Sequence, residues 1–124
     1  MTKVITVIQA RYGSTRLPGK IFLPLAGKPL LVRMVERVRA AQLVGDVVVA
    51  TTTEMVDDQT EALCVEQGLQ CFRGSTSDLL DRHYQCGRNW KADVVLKIPS
   101  DCPLIDPRVI DRVIEAFFSQ DVDY

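Results

Sequence analysis

Residues 10–20, Ala10-Arg11-Tyr12-Gly13-Ser14-Thr15-Arg16-Leu17-Pro18-Gly19-Lys20, concentrate much of the chemistry in this sequence. Arg11, Arg16 and Lys20 place three cations within ten residues. Gly13 and Gly19 permit tight turns and let phosphate oxygens approach backbone N–H groups. Ser14 and Thr15 add hydroxyl donors. Such a segment answers the charge and geometry of a polyphosphate. A solvent loop that is merely basic is the competing reading, set against its place directly after an apolar run. It is not a Walker P-loop: five residues separate Gly13 from Gly19, Ile21 stands where the magnesium-binding hydroxyl belongs, and Pro24 interrupts an immediate helix. The dinucleotide fingerprint G-x-G-x-x-G is absent. Asp101, beside Cys102-Pro103, follows another apolar run, where a carboxylate can hold Mg2+ against phosphate oxygens. The alternative for Asp101 is a turn or helix-capping role, which Asp106, directly before Pro107, fits better. His83 and Cys86 would put two soft ligands on one helix face, but a structural zinc site needs four. His83, the one histidine, reads as structural, and no general base is evident.

The elements that must position these residues alternate regularly. Lys3–Gln9 is a β-branched apolar run of strand length. Arg11–Lys28, rich in Gly, Pro, Ser and Thr, reads as a loop. Pro29 suits the first turn of a helix whose stripe is Leu31, Met34, Val35, Val38 and Ala41. Asp46–Thr51 is a second strand. Asp57 and Asp58 open a helix that Gly68 closes. Leu69–Phe72 is a short third strand, and Ser77 and Asp78 cap a helix running to about Trp90. Asp93–Ile98 is a fourth strand. Asp106-Pro107 starts a helix with the stripe Val109, Ile110, Val113, Ile114, Phe117 and Phe118. Val122–Tyr124 reads as the start of a further strand. This alternation predicts an α/β fold, a Rossmann-like three-layer sandwich with a mainly parallel sheet. Ligands of such sheets sit beyond the carboxyl ends of the strands. The segments richest in chemistry fall there: Ala10–Lys20, Thr51–Glu54, Arg73–Ser77 and Pro99–Asp106.

Composition agrees. The 124 residues are 47% hydrophobic, 25% charged and 6% aromatic, which suits one domain with a Val, Ile and Leu core and argues against disorder. No run approaches the ~20 apolar residues of a membrane helix. The first residues lack a small-residue cleavage site. The expectation is a cytoplasmic protein with no membrane partner. The net charge of −1 hides an asymmetry: residues 1–40 carry eight Lys or Arg against Glu36, and residues 41–124 carry seven against fifteen acids. A basic first third suggests an anionic ligand near the N-terminus. Arg33, Arg37 and Arg39, inside the predicted helix, read as surface charge. Cys64, Cys71, Cys86 and Cys102 form no C-x-x-C and read as reduced, mostly buried thiols. The aromatics lie in apolar contexts rather than along a basic stripe, so nucleic acid is not an expected partner.

Val7 through Lys20 resembles the opening loop of the sugar cytidylyltransferases, and most of all that of the spore-coat polysaccharide biosynthesis protein F family. Val48-Val49-Ala50-Thr51, Phe72-Arg73-Gly74-Ser75 with Asp78-Leu79-Leu80-Asp81-Arg82, and Asp101-Cys102-Pro103-Leu104-Ile105-Asp106 carry the resemblance further. It runs over all 124 residues and implies the nucleotide-diphospho-sugar transferase type of sandwich. It also implies that Arg11, Ser14, Arg16 and Lys20, with Ala10 and Gly13, bind the nucleotide CTP. Lys20 is then the cation nearest the α-phosphate, and Lys20 and Arg16 act in catalysis. Arg73 and Ser75 align with a region flanking the cytosine base; a plain turn is the other reading. Asp101 matches a metal ligand, and the implied cofactor is Mg2+. Two departures stand out. Thr52-Thr53-Glu54 replaces the acidic pair that often follows the second strand. Family members also extend about as far again, and that segment supplies dimer contacts, much of the sugar pocket and often a second metal-binding aspartate. The expectation is therefore one nucleotide-binding domain over 1–124, an N-terminal half or truncated relative, in a homodimer.

The function this implies is nucleotidyl transfer in surface polysaccharide biosynthesis: CMP moves from CTP to a sugar or sugar acid and pyrophosphate is released. A catalytically incomplete nucleotide-binding or assembly module is the first alternative. A glycosyltransferase using a preformed nucleotide sugar is the second.

Overall fold

Val4–Gln9 (β1) is apolar on both sides of its pleat, and the structure, a computed structural model describing residues 2–13, 18–100 and 105–120, buries it on both faces. Ile8 points to one layer of helices, and Ile5 and Val7 point to the other. Asp46–Thr52 (β4) lies parallel beside it, pairing Ile5 with Asp46 and Gln9 with Ala50. Gln70–Gly74 (β5) continues the sheet beyond β4, and Val94–Pro99 (β6) pairs with the opposite side of β1. Among the described residues the order is β5-β4-β1-β6, all parallel.

The helices cover both faces. Leu30–Arg39 (α1), Asp58–Gln67 (α2) and Pro107–Ser119 (α4) bring Leu31, Met34, Val35, Val38, Cys64, Ile110 and Ile114 against Ile8, Val49 and Ile98. Leu79–Asn89 (α3) packs Cys86 on Ile5, Val7, Val48 and Ala50 from the other side. Helix–sheet–helix layering of this kind is the expected α/β sandwich. Asp78 caps α3 by accepting from Asp81 N at 2.9 Å, and Asp106 caps α4 by accepting from Arg108 N at 2.8 Å. The α2 helix ends at Gly68, as its sequence predicts.

The stretch 11–28 is more ordered than a plain loop. Lys20–Phe22 forms a turn of 3₁₀ helix, and Pro24–Leu25 (β2) pairs antiparallel with Lys28–Pro29 (β3). Pro29 ends β3 with extended dihedrals and is the N-cap of α1 rather than its first residue. The third strand runs to Gly74, two residues past the expected end, because Thr51 and Thr52 extend β4 to pair with Arg73 and Gly74. The apolar stripe of α4 is only half covered: Ile110 and Ile114 are buried, but Val113 and Phe118 are about half exposed. The strand expected at Val122–Tyr124 lies outside the described residues.

Cys64 and Cys86 are buried and Cys71 is partly buried. Burial pushes the Cys86 thiol up to about 12, which keeps it protonated and unreactive.

Candidate functional site

The carboxyl ends of β1 and β6 meet the β5–α3 connection around a cleft of about 440 Å³. Gln9 is the last residue of β1 and faces Pro99, the last of β6, in register. Both line the cleft, with Ser100 following Pro99. Thr76 and Ser77 close the wall from the β5–α3 connection, and Arg82 enters from α3. Arg11 and Lys20 complete the rim. Among the described residues the lining holds Arg11, Lys20 and Arg82 and no carboxylate.

Local chemistry fixes this geometry. Gly19 N donates to Tyr12 O at 2.9 Å, so the two ends of the first loop are tied together. Tyr12 and Phe22 pack with ring centroids 6.0 Å apart below that tie. The loop is anchored to the sheet by Ala10, whose N–H donates to Ala50 O at 3.0 Å. Asp57 is 1% exposed, and its Oδ1 accepts from Tyr12 N at 2.8 Å and from Thr60 Oγ1 at 2.9 Å. Thr52 Oγ1 donates to its Oδ2. A buried carboxylate with three donors is satisfied in place, so the start of the first loop is clamped to the end of β4.

The residues expected to bind ligand fall into four groups. Arg11 and Lys20 reach the cleft. Arg11 is exposed, and its Nη2 and Nε donate to Gly13 O at 2.7 and 3.2 Å, which holds the guanidinium over the loop. Ala10 is a buried anchor and Gly13 is the carbonyl partner of Arg11. Ser14, Arg16 and Asp101 lie outside the described residues. The residue before Asp101 lines the same cleft as Arg11 and Lys20, so the first loop and the end of β6 converge at one end of the sheet.

Arg73 and Ser75 are committed elsewhere. The Arg73 guanidinium donates to Thr52 O and Glu54 O at 2.7 Å each, and its Nη1 pairs with Asp58 at 2.8 Å and Glu61 at 3.4 Å. It thereby ties β5 to the β4–α2 connection and does not line the cleft. The Asp58 carboxylate, above all, holds the Arg73 guanidinium above its ordinary value. Ser75 Oγ accepts from Asp78 N at 3.0 Å at the entrance of α3, while its neighbours Thr76 and Ser77 form the wall. Much of the basic surface of residues 1–40 is likewise paired: Lys28 and Arg33 both bind Glu36, at 2.9 and 3.0 Å. Arg37 Nε donates to Ile105 O at 2.9 Å.

Gln9 and Arg82 also line the cleft, though neither stands out in the sequence as a site residue. Gln9 Oε1 is buried without a hydrogen-bond partner among the described residues. The signal for Arg82 was its place in α3, one turn after Leu79 and one before Cys86, on the face that must be apolar. For a metal, no cluster of three His, Cys, Asp or Glu side chains exists among the described residues, and the described lining of the cleft is cationic. That lining suits an anionic polyphosphate.

The family model described as Cytidylyltransferase matches residues 5–124. The chain belongs to the cytidylyltransferase family. Spore coat polysaccharide biosynthesis protein SpsF of Bacillus subtilis (strain 168) is 40% identical over 128 residues, covering 100% of this chain and 53% of that protein. The structure of a cytidylyltransferase from Leptospira borgpetersenii serovar Hardjo-bovis superposes with a TM-score of 0.91 at 40% identity, over 98% of this chain and 51% of that one. CMP:2-keto-3-deoxy-manno-octonic acid synthetase complexed with CTP gives a TM-score of 0.81 at 30% identity, over 96% and 48%. The chain thus spans about half the length of the relatives it matches. Membership accounts for the parallel sheet with helices on both faces.

Proposed function

We propose that this chain carries the CTP-binding part of an enzyme that transfers CMP from CTP to a sugar or sugar acid, releasing pyrophosphate, in surface polysaccharide biosynthesis. The observation that carries this reading is the cleft at the carboxyl ends of β1 and β6, where Arg11 and Lys20 stand with no described carboxylate to neutralise them. Family membership, and a relative whose structure holds CTP, support the choice of nucleotide.

In this mechanism an acceptor oxygen attacks the α-phosphorus. The bond from that phosphorus to the oxygen bridging the α- and β-phosphates breaks, and pyrophosphate leaves with the electron pair. The acceptor hydroxyl loses its proton to solvent, no described side chain being placed as a base. Lys20 and Arg11, joined by Arg16, bind the triphosphate and stabilise charge that grows on it. Ser14 and Gly13 offer donors to its oxygens. Asp101 would hold Mg2+, which when bound would supply charge neutralisation to the phosphates. The enzyme acts in the cytoplasm, where CTP is made, as a homodimer.

Calorimetric titration of the intact protein with CTP and Mg2+, followed by a pyrophosphate-release assay with sugar-acid acceptors, tests the reading. Binding with release supports it, and absence of CTP binding overturns it. The exposed side of α4, and the edge that β6 forms among the described residues, favour a second reading, a nucleotide-binding or assembly module. Binding without release for every acceptor would select that one.

A further inference from the structure

We propose that Arg82 is a third anion-binding side chain of the cleft, gripping a phosphate or carboxylate oxygen of the bound substrates beside Arg11 and Lys20. The inference rests on the nucleotide-binding reading above and adds a residue to it. Arg82 is 2% exposed, and is the largest fully buried side chain among the described residues. Its position is enforced from below. A Cβ at Gly74 would meet Arg82 Cγ at 2.9 Å, so the absence of a side chain at the end of β5 lets the arginine stem lie there.

Its partners do not neutralise it. Nε donates to Ser75 O at 2.9 Å and Nη2 to Thr76 O at 3.4 Å, both uncharged carbonyls. Among the described residues no carboxylate pairs with it. A guanidinium has five N–H donors, and two are used among the described residues. Burying an uncompensated cation is costly. Burial, and then the neighbouring Arg11 charge, pull the Arg82 guanidinium below its ordinary value, against a smaller opposing pull from the Asp57 carboxylate. A group held under that tension gains most when an anion arrives. The planar fork matches the paired oxygens of phosphate or carboxylate. Because Arg82 also donates to the Ser75 and Thr76 carbonyls, an anion on it draws the Thr76 and Ser77 wall into the same network.

Such an oxygen comes either from the nucleotide or from the acceptor acid. The test titrates the intact wild-type protein and Arg82→Met with CTP, cytidine, inorganic pyrophosphate and 2-keto-3-deoxy-manno-octonic acid. We expect Arg82→Met to weaken CTP and pyrophosphate at least tenfold while cytidine changes less than twofold. That result assigns the oxygen to the nucleotide. A tenfold loss for the sugar acid, with CTP unchanged, assigns it to the acceptor. In either case Arg82→Lys recovers part of the loss. If all three anions change less than twofold, or if cytidine weakens in parallel with CTP, Arg82 only supports the 75–77 wall and the proposal falls. Should Arg82→Met not fold, the Arg82 Nε–H resonance of the wild-type protein is read instead during addition of pyrophosphate and of the sugar acid. A shift with either supports the proposal and no shift with both overturns it. Wild-type protein that binds pyrophosphate but not CTP would refute the cytidylyltransferase reading and leave this one standing. Wild-type protein that binds none of the anions refutes both.

Discussion

The Tyr12 backbone N–H donates to Asp57 Oδ1 at 2.8 Å, across 45 residues of sequence. Through that bond the second strand–helix connection holds the root of the first loop. Replacing Asp57 with Ala leaves the Tyr12 N–H, the Thr52 hydroxyl and the Thr60 hydroxyl without their acceptor. The expected loss is about 3 kcal/mol of unfolding free energy, as unpaired buried donors cost about 1–3 kcal/mol each and some relax toward solvent. Urea unfolding measures it. An unchanged midpoint would show that the clamp contributes nothing.

Lys20 has no carboxylate partner among the described residues and lines the cleft. Lys20→Ala in the intact enzyme should lower turnover by about 100-fold, the scale of one lost donor to developing charge. Its melting temperature should stay within about 2 °C of wild type, since a partly exposed side chain with no partner among the described residues adds little to stability. Full activity in the variant would remove Lys20 from the mechanism.

His83 supplies a pH dependence. Its Nδ1–H donates to Leu79 O at 2.9 Å, and its Nε2 is buried with no described partner. Burial depresses its pKa, against the opposing pull of the Leu79 carbonyl. The folded protein therefore resists a proton that the unfolded chain accepts near pH 6.5. The stability this neutral histidine contributes is present above pH 6.5 and is lost as the pH falls from there through the depressed folded value. The slope is at most about 1.4 kcal/mol per pH unit. Urea midpoints between pH 7.5 and 5.5 should fall for wild type and fall less for His83→Gln. Parallel curves would assign the acid sensitivity to other groups.

Gly45 sits at φ +64°, where an added Cβ would lie 1.9 Å from Val4 O. Gly45→Ala must move the entry of β4 away from β1. The expected cost exceeds about 2 kcal/mol, combining a left-handed backbone with a steric overlap. An unfolding free energy within 0.5 kcal/mol of wild type, on the order of an ordinary surface substitution, would contradict that packing.

The architecture was legible because it is written in local patterns. Val, Ile and Leu runs, the Asp78 and Asp106 caps and the closing Gly68 each announce an element from neighbours a few residues away. Arg11 and Lys20, singled out by the cations and glycines of the first loop, line the cleft. What escaped depends on contacts between distant segments. Asp57 reads as a helix opener and does precede α2, but its carboxylate turns inward to Tyr12. Arg73 reads in the sequence as a residue flanking the base, yet Asp58 and Glu61, on α2, hold its guanidinium. The Val113 and Phe118 positions complete a regular apolar stripe, and periodicity alone does not reveal which part of a stripe finds a partner.

We propose that the triphosphate of CTP lies in the cleft beyond β1 and β6. A crystal structure of the intact protein with CTP and Mg2+ tests it most directly. Phosphate oxygens should lie within hydrogen-bonding distance of Arg11 and Lys20. Nucleotide density away from both side chains, for instance in the apolar groove between β6 and α4, would contradict it.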